Sequence, residues 1–453
     1  MRIARALGEV RPGTFCVSFV GAGGKTSAMF ALAQELAAAN RRVVVTTTTH
    51  IRPPTPEQAG ALCLSEDADA LRHDIGAAFE KTPIVCAAAG HTPENKLRGL
   101  EPDVVCLLMG VADAILVEAD GARGLSIKAP AEYEPVIPPC THIVIPVVGM
   151  DALGAPLDSR IAHRPDRIAT LTDTPPGTPI TEDTITRLLT HPDGALKGVP
   201  PGAKVMPLLN KVEDESTLVA ARAIARHLKN HHAISRVLLG SVSSPDPITE
   251  VWRKVGAVIL AAGGSRRFGR PKQLLLYRGT TLLQHAIRVV CDAPLDQVVL
   301  VLGYGAMRIR EALDLSALPY PVDVVVNKRW AEGISTSIRV GLGVLRPEID
   351  AALFILADYP GISTRLMEEL LLAYYGCEYP IVAPTYRGQR GNPVLFDRLL
   401  FDELASLQGD IGGRTLIARY QDRTHLVEVE DDAILYDVDT LADYQQVMER
   451  WGK

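Results

Sequence analysis

The sequence of 453 residues lacks the features that would place it in a special class of protein. Residues 1–15 contain no apolar segment of the kind that directs secretion. No apolar run approaches the roughly 18–20 residues that cross a membrane as a helix. The 47 basic and 53 acidic residues give a net charge of −6, so no general positive field favours binding to a nucleic-acid backbone. We therefore expect neither a membrane nor a nucleic acid as a partner.

The seven cysteines are scattered and include no CxxC pair. Several lie within apolar, strand-like stretches, where a thiol is typically buried and free. The sequence therefore predicts free thiols and a cytoplasmic protein.

What the sequence does contain is an alternation of short β-branched runs and longer amphipathic stretches. Apolar residues make up 47% and charged residues 22% of the chain, which is an ordinary globular composition. Continuous apolar strands separated by helices are typical of parallel sheets covered on both faces. The predicted fold class is therefore α/β, with two domains at residues 1–245 and 255–453. A Ser- and Pro-rich stretch at about 243–254 is the predicted linker.

The first glycine loop joins an apolar strand to a helix in FCVSFVGAGGKTS, residues 15–27. Backbone N–H groups at such a turn, with the positive end of the helix, form a cradle for phosphate. Lys25 can reach terminal phosphates, and Thr26 or Ser27 can offer a hydroxyl to Mg²⁺. Phe19 replaces the first glycine of the standard P-loop, and a plain strand–helix turn is the alternative. The predicted nucleotide-binding residues here are Gly21, Gly23, Gly24, Lys25, Thr26 and Ser27.

Two further segments favour a P-loop-like nucleotide site in this half. Glu118 and Asp120 end an apolar strand, where a P-loop enzyme places its Mg²⁺-orienting group. LLNKVED, residues 208–214, resembles the guanine-reading NKxD motif of GTPases. However, Glu213 stands where the Asp belongs, and Asp214 comes one residue late. An ordinary helix start explains the same residues, so the choice of base stays open.

Five segments of the first half resemble, in their order, the YqeC-type proteins described as selenium-dependent hydroxylase accessory proteins. The segments are GAGGKTS, VVVTTTTHI, LVEADGARGLSIKAP, IPVVGMDALGAPL and LLNKVED. The resemblance covers about residues 1–245 and implies an accessory role without specifying a reaction.

The second glycine loop, VILAAGGSRRFGRPK at residues 258–272, follows another apolar strand. Small residues let the backbone lie against a base and a triphosphate. Arg267 and Lys272 are spaced to hold phosphate oxygens, and fixed cations stabilise the charge that a leaving pyrophosphate gains. We therefore predict both as catalytic, with a basic surface loop as the alternative. The predicted nucleotide-binding residues are Leu260, Ala261, Ala262, Gly263, Gly264, Ser265 and Gly303.

Acidic residues in two later segments form a candidate Mg²⁺ site. Asp358 ends the run AALFILAD, at the edge where open α/β sheets bind ligands, although a lone Asp there is often a turn residue. Asp437 and Asp439 share one face if their segment is extended, and Asp439 could instead cap the following helix. We favour Asp358 and Asp439 as the metal ligands. If Asp437 or Asp439 lies near Asp358, the carboxylates repel, and Asp358→Asn is then expected to stabilise the metal-free fold slightly.

These pieces resemble the molybdenum cofactor cytidylyltransferase group of the MobA-like nucleotidyltransferases, over about residues 255–450. The matching segments are LAAGGSRRFGRPK, GISTSIRVGL, LADYP, QRGNPVL, GDIGGR and DVDTLADY, with Tyr359 as a departure. The resemblance implies a Rossmann-like domain. It also implies substrate-binding roles for Asn327, Ser335, Ser337, Arg390, Asn392, Asp410 and Arg414.

The same resemblance implies a reaction. CMP passes from CTP to the phosphate of Mo-molybdopterin, pyrophosphate is released, and Mg²⁺ bridges the reacting phosphates without a covalent enzyme intermediate. The small-molecule partners would be CTP and molybdenum cofactor, and apo molybdenum hydroxylases or their chaperones are candidate protein partners. The pair Ala261-Ala262 is associated with cytosine-selecting members of the group.

Two alternatives remain for the whole chain. A nucleotidyltransferase acting on another phosphate acceptor would carry the same motifs. A cofactor delivery or accessory protein with a nucleotide-gated N-terminal domain would also account for the joining of these two halves.

Overall fold

The computed structural model of the chain describes residues 1–8, 13–265, 268–316 and 318–452. It consists of two compact units, Met1–Trp252 and Arg253–Lys453. Their boundary falls inside the predicted linker, but Ile248–Trp252 forms a strand of the first unit. The first domain therefore extends past residue 245, its predicted end.

The first unit is built around one large sheet. Its strands are β1 (Phe15–Gly21), β2 (Val43–Thr47), β3 (His50–Ile51), β4 (Ala61–Leu64), β5 (Ile84–Ala88), β6 (Gly90–His91), β7 (Leu97–Arg98), β8 (Ala114–Glu118), β9 (Ile127–Lys128), β10 (Ile143–Gly149), β11 (Ala162–His163), β12 (Lys204–Val205), β13 (Leu208–Asn210), β14 (Val237–Gly240) and β15 (Ile248–Trp252). Its helices are α1 (Ile3–Ala6), α2 (Lys25–Ala38), α3 (Ala68–Ala78), α4 (Pro102–Leu107), α5 (Pro165–Thr172), α6 (Glu182–Thr190) and α7 (Glu215–Lys229).

The strands of this sheet lie in the order β15-β14-β13-β10-β1-β8-β2-β5-β4, with β12 beside β10. The pairs are parallel except at the edge, where β15 runs antiparallel to β14. The predicted parallel sheet is confirmed.

Side chains of the central strand β1 enter both cores of the first unit. Val17 and Phe19 pack in one core with Leu32 of α2, and Val20 packs in the other with Leu71 of α3. Successive strand residues point to opposite faces, and helices cover both faces. This double burial explains why the strand is apolar without interruption.

The sheet brings the first glycine loop and the acidic segment to one edge. β1 ends at Gly21, α2 begins at Lys25, and Phe19 pairs in register with Glu118 of β8. Ligands bind at the carboxyl ends of parallel strands in open α/β sheets.

The second unit has a smaller, mixed sheet. Its strands are β16 (Val255–Ala261), β17 (Leu276–Tyr277), β18 (Thr280–Thr281), β19 (Gln297–Leu302), β20 (Val322–Val326), β21 (Ala351–Leu356), β22 (Ile381–Tyr386), β23 (Gln389–Arg390), β24 (Val394–Asp397) and β25 (Thr424–Glu428). Its helices are α8 (Leu282–Cys291), α9 (Ala306–Glu311), α10 (Ile334–Leu342), α11 (Thr364–Gly376), α12 (Phe401–Ser406), α13 (Arg414–Arg419) and α14 (Leu441–Trp451).

This sheet has the order β20-β19-β16-β21-β24-β22-β23, with β25 beside β22. The first four strands are parallel, whereas β24 runs antiparallel to β21 and β22. Apolar content does not distinguish strand direction, so the sequence did not predict this reversal. Leu260 pairs in register with Leu356, so the second glycine loop and Asp358 leave the sheet at one edge.

Two predictions about the environment of the chain can be compared with the structure. Cys106 and Cys140 form a disulfide, so the prediction of free thiols is wrong for this pair. The free cysteines are Cys16, Cys63, Cys86, Cys291 and Cys377. No helix among the described residues is long and apolar enough to cross a membrane, and a cytoplasmic location stays a prediction.

Candidate active site

The site in the second unit centres on Lys272. Its Nζ donates hydrogen bonds to Asp358 Oδ2 at 2.5 Å and to Asp439 Oδ1 at 2.9 Å. Burial disfavours the charged ammonium, but the attraction of both carboxylates outweighs burial and raises the pKa of Lys272. The predicted catalytic lysine and both predicted metal ligands therefore lie together, although 86 and 167 positions separate them in the chain.

Two different segments bring the carboxylates to Lys272. Asp358 follows β21 at the open edge of the sheet. Asp439 precedes α14, whose N-cap is Thr440: the Thr440 hydroxyl accepts a hydrogen bond from Asp443 N, and the Asp443 carboxylate accepts one from Thr440 N. The capping alternative for Asp439 is therefore wrong, and its carboxylate is directed to Lys272.

The third candidate carboxylate, Asp437, lies close enough to the other two to be repelled by their negative charges. Burial, Asp358 and Asp439 raise its pKa, and Lys272 partly opposes them. Lys272 bridges Asp358 and Asp439, and this favours a loss of stability in Asp358→Asn over the gain expected from the sequence. The repulsion that remains acts on Asp437, where Lys272 opposes it only in part.

The two carboxylates fit a bound Mg²⁺ in their chemistry. Mg²⁺ in proteins is commonly held by one or two carboxylates together with substrate phosphates and water. The described ranges contain no cluster of three or more His, Cys, Asp or Glu side chains that could hold an ion alone. A metal at Asp358 and Asp439 would therefore take its other ligands from substrate or water.

The second glycine loop forms one wall of a cleft of about 530 Å³. Lys272, Ser337, Asp358 and Asp410 line the same cleft. The predicted nucleotide-binding residues that line it are Leu260, Ala261, Ala262, Gly263 and Gly264.

A buried glutamine that the sequence analysis missed holds this loop in shape. Gln273 Nε2 donates to Ala261 O at 2.9 Å and to Gly263 O at 3.1 Å, and the residue is 3% exposed. Its position next to Lys272 was the only sequence cue. Gln273 is a positioning residue for the loop.

Two other predicted residues, Ser265 in the loop and Gly303 after β19, stabilise the shape of the loop. Ser265 has φ +48°, and its Oγ accepts a hydrogen bond from Lys272 N at 3.0 Å. A Cβ added at Gly303 would lie 2.7 Å from Ala262 O, so only glycine allows this close packing. Arg267, predicted as catalytic, lies outside the described residues.

Asn327 follows β20, and its side chain is hydrogen-bonded to the start of α10. Its Nδ2 donates to Thr336 Oγ1 at 2.8 Å and to Ser337 Oγ at 2.9 Å, and it is 2% exposed. It therefore positions Ser337, which lines the cleft. The buried Oγ of Ser335 has no hydrogen-bond partner among the described residues.

A smaller pocket of about 240 Å³ adjoins the cleft and shares Leu260 and Asp410 with it. Arg390, Asn392 and Arg414, three of the predicted substrate residues, line this pocket. Burial and the positive charge of Arg414 lower the pKa of Arg390. Within the described part of the chain, neither guanidinium has a carboxylate partner, and two such neighbouring cations favour an anion such as phosphate.

The first glycine loop, in the other unit, places Lys25 between two acidic residues. Lys25 Nζ donates to Gly21 O at 2.8 Å and lies 3.2 Å from Asp120 Oδ1 and 3.8 Å from Glu118 Oε1. Thr26 Oγ1 donates to Glu118 Oε2 at 2.6 Å. Burial outweighs the attraction of Lys25 and raises the pKa of Glu118.

The shape of this loop requires glycine. Gly21, Gly23 and Gly24 all have positive φ, and a Cβ at Gly23 would lie 2.1 Å from Gly149 N. Ser27 is exposed on α2, so Thr26 is the hydroxyl that lies beside an acidic side chain.

Comparisons with known proteins agree with this division of the chain. The family profile described as YqeC protein matches residues 17–166, and the one described as MobA-like NTP transferase domain matches residues 257–424. The chain is 35% identical over 229 residues to the uncharacterized protein YqeC of Escherichia coli (strain K12). The matched region covers 50% of this chain and 87% of that protein. The chain belongs to the YqeC family and carries a MobA-like NTP transferase domain.

Relatives of the transferase domain have different names. Nicotine blue oxidoreductase of Paenarthrobacter nicotinovorans is 32% identical over 199 residues, covering 41% of this chain and 93% of that protein. A probable molybdenum cofactor guanylyltransferase of Bacillus cytotoxicus (strain DSM 22905 / CIP 110041 / 391-98 / NVH 391-98) is 28% identical over 138 residues, covering 30% of this chain and 65% of that protein. The family and the site together identify the chain as a nucleotidyltransferase.

The YqeC domain contains a buried lysine that the sequence analysis missed. The Lys128 side chain is fully buried, and its Nζ lies 2.9 Å from Asp120 Oδ2 and 2.8 Å from Glu134 Oε2. Arg164 Nη1 lies 2.8 Å from the same Glu134 oxygen. Asp120, which faces Lys25, is thus held from its other side by a second cation.

Proposed function

We propose that the transferase domain moves CMP from CTP to the phosphate of Mo-molybdopterin, for maturation of molybdenum hydroxylases. The observation that carries the proposal is the ammonium of Lys272, held by Asp358 and Asp439 at the rim of the cleft that the glycine loop lines. The adjoining pocket with Arg390 and Arg414 supports an acceptor that carries a phosphate.

In this reaction an acceptor phosphate oxygen attacks the α-phosphorus of CTP, and the bond from that phosphorus to the bridging oxygen breaks. The electron pair leaves with pyrophosphate, whose growing charge Lys272 stabilises. When substrate binds, Lys272 can replace its hydrogen bond to one carboxylate with one to a phosphate oxygen, so that it keeps an anionic partner throughout. When bound at Asp358 and Asp439, Mg²⁺ would neutralise charge on the reacting phosphates.

The choice of CTP rests on the pair Ala261-Ala262. Both line the cleft, and Ala262 packs against Gly303, so the loop has little freedom to move away from a larger base. A pyrimidine tolerates an alanine methyl at this wall better than a purine does.

The test is release of pyrophosphate by the purified full chain with Mg²⁺ and Mo-molybdopterin, comparing CTP with GTP. We expect release with CTP and its loss in Asp358→Ala. Faster release with GTP would overturn the base assignment. Release with a sugar phosphate but not with the cofactor would overturn the acceptor.

Two further measurements address other functions. A redox reaction catalysed by the chain without pyrophosphate release would favour an oxidoreductase, the activity that the name of one relative states. If Asp358→Ala left hydroxylase maturation in cells unchanged, a delivery role would be favoured over catalysis.

We propose in addition that the YqeC domain binds a nucleoside triphosphate at Gly21–Ser27. The positive φ of its glycines, the start of α2 at Lys25 and the contact of Thr26 with Glu118 support a phosphate site with a cation beside it. Asp120 Oδ2 accepts a hydrogen bond from Gly21 N at 3.0 Å, and this contact fixes the loop.

A further inference from the structure

The segments that follow β13 and β14 are tied to the first glycine loop. Asn210 Nδ2 donates to Gly23 O at 2.7 Å, and Val242 N donates to Asn210 Oδ1 at 3.0 Å. A Cβ at Gly24 would lie 2.4 Å from Asn210 Nδ2. The ends of β13 and β14 would therefore be neighbours of a phosphate ligand bound at this loop.

The structure separates the roles of the two acidic residues in LLNKVED. Asp214 is the N-cap of α7: its Oδ1 accepts hydrogen bonds from Thr217 N at 2.8 Å and Ser216 Oγ at 2.7 Å. The helix start therefore accounts for Asp214 and leaves Glu213 unexplained. Glu213 is exposed and lies in the turn that joins β13 to α7, three residues after Asn210, whose amide binds the glycine loop.

A hydrogen bond from Ser241, just after β14, fixes the Glu213 side chain in that turn. Its Oε1 accepts a hydrogen bond from Ser241 Oγ at 3.0 Å, and Ser241 Oγ is 2.8 Å from Ser243 Oγ. Lys211 fixes the same turn through Asp151, at 2.7 Å. Among the described residues, Glu213 Oε2 receives no hydrogen bond, so the carboxylate keeps an acceptor for a ligand.

An ionised carboxylate only accepts hydrogen bonds. Guanine is the common base with two adjacent donors on one edge, the ring N1–H and the N2 amino group. Adenine and cytosine pair a donor with an acceptor on that edge, and uracil has a single N–H between two carbonyls. A fixed carboxylate beside the phosphate loop therefore suits guanine.

We propose that the YqeC domain selects guanine nucleotides, with Glu213 accepting from N1–H and N2–H and the phosphates bound at Gly21–Lys25. The proposal rests on nucleotide binding by this domain. It gives the chain two different base preferences, cytosine in the transferase domain and guanine in the YqeC domain.

The test measures equilibrium binding of GTP, ATP and XTP to the full chain at a temperature where Lys25→Ala stays folded, and that variant identifies the binding that belongs to the YqeC domain. Glu213→Gln should weaken GTP binding by about 10–100-fold, since the amide can accept only one of the two hydrogen bonds and its NH₂ group faces the other donor of the base. It should also strengthen XTP binding, because an amide can donate to the O2 carbonyl of xanthine and accept from its N1–H. The matched control is Glu215→Gln, an exposed carboxylate two positions along the chain, which should leave both affinities unchanged.

The outcomes separate the two proposals. Equal affinity for GTP and ATP, both lost in Lys25→Ala, would overturn guanine selection and keep nucleotide binding. Absence of any binding sensitive to Lys25→Ala would overturn nucleotide binding itself, and guanine selection with it. If Glu213→Gln lowers the melting temperature, Ser241→Ala serves instead, because it frees Glu213 and should still weaken GTP binding more than ATP binding.

Discussion

The two lysines that follow the glycine loops, Lys25 and Lys272, are each held by two carboxylates but in different surroundings. Lys25 and Asp120 are 3% and 2% exposed in their side chains, whereas Lys272 and Asp439 are 16% and 46% exposed. Lys25 also donates to a carbonyl of its own loop, whereas the described partners of Lys272 Nζ are the two carboxylates.

This difference separates a fixed site from a site that can rearrange. Breaking the contacts of Lys25 would leave buried charges in the network that continues through Lys128, which is costly in a low-dielectric interior. Lys272 and Asp358 line a cleft, where water and substrate can replace a lost partner. We therefore expect substitutions in the first network to reduce stability, and those at the second mainly to reduce activity.

The largest effect should come from Lys128→Met. Removing this cation leaves Asp120 and Glu134 as buried carboxylates with fewer partners, and breaking a buried ion pair typically costs about 3–5 kcal/mol. Urea unfolding of the full chain measures it, with exposed Lys204→Met as the control. A loss below about 1 kcal/mol would mean that water solvates this network, and the comparison would fail.

Lys272→Ala should reduce the rate of nucleotidyl transfer by about 10²–10³-fold, the usual loss when one group that stabilises developing charge is removed. The loss of stability should be small, about 1 kcal/mol, as for removal of the same partly exposed ion pair at Asp358. Pyrophosphate release measures the rate, and Arg308→Ala, an exposed cation on α9, is the control. An unchanged rate would show that the motif is wrongly assigned.

Asp358→Asn should abolish Mg²⁺-dependent transfer and destabilise the metal-free chain by about 1 kcal/mol, because it removes a partly exposed ion pair with Lys272. Melting curves with and without Mg²⁺ measure both effects. We expect the unaltered chain to gain stability from Mg²⁺ and the variant to gain less. Retained activity together with clear destabilisation would make Asp358 a structural turn residue.

The smallest effect should come from Asp437→Asn. A raised pKa means that the folded chain binds this proton more tightly than the unfolded chain, so the charged carboxylate reduces stability above the folded-state pKa. The variant should therefore melt slightly higher at neutral pH, and its advantage should disappear as pH falls below about 4, the ordinary pKa of Asp. A lower melting temperature at neutral pH would contradict the repulsion.

The sequence predicted the features that depend on local pattern. The strands that end at Gly21 and Ala261 could be read from apolar runs and glycine turns, and the acidic ends at Asp120 and Asp358 from the strands before them. These residues lie where the pattern placed them because parallel strands bring their carboxyl ends to one edge.

Features that depend on contacts distant in the chain were not predicted. No local pattern shows that Asp439 meets Lys272, that Lys128 is buried among carboxylates, or that Gln273 holds the second loop. The disulfide between Cys106 and Cys140 joins residues 34 positions apart, with no spacing motif to reveal it.

The edge strand β15 determines where the YqeC domain can be cut from the chain. Glu250 on this strand binds Arg222 of α7 at 2.8 Å and the indole N–H of Trp252 at 2.8 Å, so β15 is anchored along the rim of the sheet. A fragment that stops at residue 245 would leave the buried, apolar β14 with a row of unpaired backbone groups. Such an exposed edge is a template for strands of other copies, so that fragment should aggregate, whereas one that ends at Trp252 should stay dispersed.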